Sequence, residues 1–80
     1  MSERRLQDVW IAQCEATGRI RDEHGVNSAF DYLVGEKLMT YAQTAATRPE
    51  FARELPRFAA EVRWLFSAEE IRDQFARIEQ

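Results

Sequence analysis

The stretch SAFDYLVGEKLMTYA, Ser28 to Ala42, decides how the chain is read. Stepped at about 100° per residue, it puts Phe30, Leu33, Val34, Leu38 and Tyr41 on one face, which Ala45 continues. A second, adjoining arc carries Tyr32, Gly35, Met39, Ala42 and Ala46. Only Glu36, Thr40, Gln43 and Thr44 are left for water, with Lys37 at the border. A helix this broadly apolar has to be covered on two sides. It is therefore expected to run over about 28–46 at the centre of a helical bundle, with Gly35 and Ala42 admitting a neighbouring backbone. Ser28 and Asp31 stand at capping-box spacing at its start, which also accounts for a carboxylate beside the apolar arc.

Upstream, Ser2 is placed to cap a first helix. Its stripe is Leu6, Val9, Trp10, Ala16, Thr17, Ile20 and His24. The stripe keeps its phase across Gly18, so one helix over 3–24 is expected, at a cost of roughly 1 kcal/mol for the glycine; the alternative is two helices broken at Thr17–Gly18–Arg19. Gly25 is expected to close it in the left-handed conformation. Downstream, Thr47 and Glu50 repeat the capping-box spacing, with Pro49 in the first turn. Pro56 is expected to stop this helix at 49–54 and to open a fourth, 56–66, with a stripe of Phe58, Ala59, Val62, Leu65 and Phe66. Ser67 and Glu70 form a third box ahead of a last helix, 68–78, striped by Ile71, Phe75 and Ile78. No period-2 alternation occurs. The expected fold is all-α: a single domain over 1–80, three main and two shorter helices, with helix 28–46 wrapped by its own chain on nearly all sides.

The totals agree with one small globular domain. Of the 80 residues 45% are apolar and 31% charged, and a single cysteine rules out an internal disulfide. No run approaches the roughly 20 apolar residues that cross a bilayer, and the charged N-terminus lacks a signal-peptide core. A cytoplasmic protein with no membrane partner is expected. A net charge of −3 argues against gripping phosphate backbones as the main activity.

Candidate chemistry is thin. Cys14 lies beside Trp10 on the first helix and is read as a structural thiol. His24, the only histidine, stands at a helix C-terminus, where it complements the last carbonyls; a metal site would want further imidazole or thiolate ligands. No phosphate loop, glycine-rich fingerprint or nucleophile elbow occurs. No catalytic, cofactor-binding or metal-ligating residue is assigned, and the chain is expected not to be an enzyme. The segments around Pro56 have a helix-turn-helix outline, the basis of an alternative as a small DNA-binding regulator. Against it, the second helix would open on Phe58, Ala59 and Ala60 rather than base-reading side chains.

Trp64 falls nearly opposite Phe58 and Val62, in the company of Arg57 and Arg63. Trp and Arg are the residues most enriched at binding hot spots. Trp64 thus belongs either to an interface or beneath a neighbouring helix, with Ile11 a second, weaker surface candidate. Glu69, Glu70 and Asp73 face away from the last helix's apolar stripe and form an acidic ridge, which is either solvated or suited to an arginine-rich protein groove.

Two motifs carry a resemblance. Gly25, Ser28, Ala29, Asp31, Tyr32, Leu33 and Gly35 to Leu38 are followed by Pro49 to Phe51, Glu54 to Pro56, Phe58 and Glu61. Over about residues 19–66 this resembles short helical proteins of bacterial mobile and accessory gene regions. The resemblance implies no catalytic activity; small acidic proteins of such regions look like anti-CRISPR inhibitors, which occupy a surface of a CRISPR effector complex. The expectation is a stoichiometric protein-binding module using Trp64, Arg57, Arg63, Glu69, Glu70 and Asp73. A homodimerising module, paired through Tyr32 and Met39, is the other alternative.

Overall fold

A computed structural model describes residues 3–79, all of whose regular elements are helical. Helix α1 is Glu3–His24. Helix α2 spans 26–45, with α-helical ends, Val26–Phe30 and Met39–Ala45, around a π-helical middle, Asp31–Leu38. Helix α3 is Pro49–Glu61, drawn out into a 3-10 turn at Val62–Trp64. Helix α4 is Ala68–Glu79. Four helices stand where five were expected. The Ser2 cap lies outside the described residues.

Helix α1 runs unbroken through Gly18, because burial of the Trp10 and Thr17 side chains outweighs one glycine. Gly25 ends it with φ 95° and ψ 173°, an extended left-sided conformation open to glycine rather than the helical left-handed cap. Its N–H closes the last turn on Arg21 O at 3.0 Å, and its carbonyl accepts from Ala29 N at 3.2 Å. One residue thus ends α1 and opens α2. Because α2 already starts at Val26, Ser28 sits inside its first turn and the Ser28–Asp31 box does not form. Asp31 instead accepts a 2.6 Å bond from Arg77.

Pro56 stays inside α3 instead of separating two helices. Proline removes one bond, to the carbonyl of Ala52, and both residues lie on the exposed side where water replaces it. A break would have taken Phe51, Glu54, Phe58 and Glu61 off a common face. The Thr47–Glu50 box is also absent: Arg48 is the extended residue before Pro49, and no side chain caps the helix. The Ser67–Glu70 box is present in both directions, Glu70 N to Ser67 Oγ and Ser67 N to Glu70 Oε1, each 3.0 Å.

The core gathers Trp10, Ala29, Phe30, Leu33, Tyr41, Phe58, Val62 and Phe66. It does not surround α2. The body measures 34 × 25 × 17 Å, and a helix with its side chains is about 10 Å across, so its thin dimension holds two layers. Gly35, Met39, Ala42 and Ala46 face solvent, and a Cβ built on Gly35 would meet nothing within 4 Å. The expectation of a rod wrapped on nearly all sides, with Gly35 under a close neighbour, is overturned. The π segment sets which arc is buried. Steps of four residues advance an α-helical face by about 40°, whereas each residue of a π-turn rotates through less. Placing eight such residues between Ala29 and Tyr41 cancels much of that drift, and Ala29, Leu33 and Tyr41 are all buried.

Candidate interaction surface

Helix α4 is held by a polar row. Arg21 forms a two-pronged ion pair with Glu70 and also donates to Leu65 O at 2.6 Å. Gln74, buried, donates to Asn27. Arg77 reaches Asp31 of α2 while also donating to Gln74 Oε1 at 2.9 Å. These partners turn α4 toward its Glu70–Gln74–Arg77 row. The expected core stripe is displaced outward: Ile71 is half-buried, while Phe75 and Ile78 are 50% and 55% exposed.

That displacement opens a groove. Its inner part, about 220 Å³, lies between Val34 and Leu38 of α2, Val62 and Arg63 of the α3 extension, and Ile71 and Phe75 of α4. It continues into an outer part of about 610 Å³ between Arg63 and the Ala68, Arg72, Phe75, Ala76 and Glu79 face of α4. Among the described residues the side chains of Arg63, Arg72 and Glu79 make no ion pair or hydrogen bond. A smaller notch of about 240 Å³ lies at the other end, between Leu6 and Val9 of α1 and Tyr41 and Phe51.

Of the sequence-predicted residues, Trp64 is 79% exposed, which removes it from the core. Arg63 precedes it on the groove edge. Arg57 is engaged within its own helix, donating from Nε to Glu61 Oε2 at 2.9 Å and lying 3.7 Å from Glu54. Glu69 and Asp73 are exposed on the far side of α4. Glu70 is taken out of that ridge by Arg21 and by the cap. Ile11 is 52% exposed on α1. The segments behind the helix-turn-helix outline form one continuous helix, so the outline is absent. Ile71 and Phe75 escaped sequence reasoning because their spacing is that of an ordinary core stripe. The signal was on other elements, in Arg21, Asn27 and Asp31, which capture the polar row.

The reactive side chains are quiet. Burial, followed by the charges of Glu61 and Glu15, pushes the Cys14 thiol up to about 11, so it is protonated at neutral pH. Burial also raises the Tyr41 hydroxyl, which donates to Gln13. His24 is exposed, 3.8 Å from Glu23. Among the described residues no group of three or more His, Cys, Asp or Glu is placed to hold a metal ion, and no helix is long and apolar enough to cross a membrane. The chain matches no protein-family model, no curated protein and no solved structure.

Proposed function

We propose that the chain is a non-enzymatic interaction module that binds a protein partner stoichiometrically, through a surface centred on Trp64 and Arg63. The observation that carries this reading is the exposure of Trp64, 79%, beside a guanidinium with no partner among the described residues. A bare indole is costly to keep in water, and Trp and Arg are among the residues most enriched at binding hot spots. Arg57 contributes by holding Glu54 and Glu61 on the same helix rather than as a free contact. Glu69 and Asp73 provide an acidic flank that steers a basic partner.

In its most specific form, which rests on the sequence resemblance, the partner is a CRISPR effector complex and binding blocks one of its working surfaces. Native mass spectrometry of the chain mixed with purified effector complexes tests this. The expected result is a defined complex with the wild type that is lost with Trp64→Ala and weakened by Arg63→Glu, while helix content and melting are unchanged. Equal binding by Trp64→Ala would remove the indole from the interface. Loss of fold with that substitution would contradict its exposure.

A further inference from the structure

Along α4, Ala68, Arg72, Phe75 and Glu79 follow at spacings of four, three and four residues, the rhythm of a helix–helix seam. All four line the outer groove rather than the core. The helix therefore carries a docked polar row and, beside it, a half-exposed seam with Phe75 at its middle, one edge of whose ring touches Phe30. We propose that this seam is a homodimer interface, with α4 of two copies packed antiparallel across a two-fold axis.

Charge selects both the occupant and the direction. Arg72 and Glu79 stand two turns apart on the same face, opposite in sign, each without a partner among the described residues. Antiparallel packing brings Arg72 of one copy to Glu79 of the other, and symmetry makes the pair twice. Arg63, on the facing wall, adds a second guanidinium to the groove. Parallel packing would instead set Arg72 on Arg72 and Glu79 on Glu79. A uniformly acidic helix would satisfy the arginines and be repelled by Glu79. A second copy answers both signs. Size agrees with charge: the midpoint of Arg72 and Glu79 falls between Phe75 and Ala76, so the ring of one copy meets the small side chain of the other.

A seam of one short helix is smaller than the roughly 1,200 Å² at which stable complexes begin, so the pairing is a reversible equilibrium in the micromolar range or weaker. It shares Arg63 with the partner surface but does not use Trp64, so Trp64→Ala is expected to leave it intact. Sedimentation velocity of the full chain, from micromolar to millimolar concentration, tests it. The expected result is a concentration-dependent shift from monomer to dimer. Arg72→Glu or Glu79→Arg alone weakens the dimer by roughly tenfold or more, because like charges then face each other. The two reversals together restore it, with helix content unchanged throughout, since both side chains are exposed. A chain that stays monomeric at every concentration overturns the proposal and leaves the groove to a different polypeptide. A dimer indifferent to both reversals, or a double reversal no better than either single one, places the contact elsewhere and overturns it equally.

Discussion

The two ends of this bundle are built from similar aromatic side chains and finished in opposite ways. At one end the indole of Trp10 stacks on Phe58 with ring centres 4.6 Å apart, and Tyr41 leans on both. The buried polar atoms there are bound: Trp10 Nε1 donates to Glu61 Oε1 at 3.0 Å, Arg57 fastens the other oxygen of Glu61, and Gln7 donates to Glu54 at 3.2 Å. At the other end Phe30 is met edge-on by Phe66 and Phe75, at 5.4 and 5.8 Å, but Phe75 is half in water and the groove begins beside it. Apart from the notch beside Val9, the first end serves to hold the fold together. The second has apolar surface and unpaired charge left over, and those are what a binding surface is made from.

Truncating the closed end is the strongest way to break this contrast. Trp10→Ala or Phe58→Ala removes a fully buried ring from a stack and is expected to cost about 3–5 kcal/mol, a large part of the stability of so small a domain. Phe75→Ala, at the open end, should cost about 1–2 kcal/mol, since half the ring is already hydrated. Urea unfolding of the three variants measures both. Equal losses would mean that the groove is closed in solution and that α4 is rotated inward. Glu61→Ala comes between them. It leaves the indole N–H of Trp10 buried without an acceptor, for about 1–3 kcal/mol, and frees Arg57. Glu69→Ala, on the exposed flank, should stay within about 0.5 kcal/mol of the wild type.

The closed end was legible in the sequence because its partners lie on periodic stripes. Trp10, Phe58 and Val62 fall on apolar faces by simple stepping, and the continuity of α1 across Gly18 follows from the phase of its stripe. The Ser67–Glu70 box is a local signal read by spacing alone. What stayed hidden depends on contacts between distant elements. Pro56 is a helix breaker by propensity, yet a helix that loses one bond on its wet side and keeps Phe51, Phe58 and Glu61 aligned is the better solution. The π segment leaves no mark in composition, because Asp31 to Leu38 are residues any α-helix accepts; only the alignment of Ala29, Leu33 and Tyr41 against two neighbours favours it. The open end was misjudged for the same reason. Ile71, Phe75 and Ile78 look like a core stripe until Arg21, Asn27 and Asp31 take hold of the polar row.

Gly18 gives a smaller test with the opposite sign. A Cβ placed there would meet nothing within 4 Å, and the helix runs straight through it. Gly18→Ala is therefore expected to stabilise the chain by roughly 0.5–1 kcal/mol, through a less flexible unfolded state and better helix propensity. Thermal melting checks it. A loss of stability would mean that the α1 backbone needs the glycine, and the single-helix reading of residues 3–24 would have to be revised.

The finest distinction between the two ends is their response to acid. Glu70, which clamps α4, has its carboxyl held below the ordinary 4.5, first by the hydrogen bonds from Arg21 and then by the backbone N–H of Ser67. A folded-state pKa lower than the unfolded one means that the contribution is complete above about 4.5 and is lost as the pH falls through the folded value. The group is partly exposed, so solvent screening keeps the effect small. Wild type and Glu70→Gln should then differ in urea midpoint at about pH 7 and converge as the pH falls through the folded value. The Trp10→Ala penalty should not converge in this way, because a lost ring stack has no proton to gain. If the gap between wild type and Glu70→Gln persisted in acid, α4 would be held by the shape and neutral hydrogen bonds of the polar row. The carboxylate charge would then have no part in keeping the groove open.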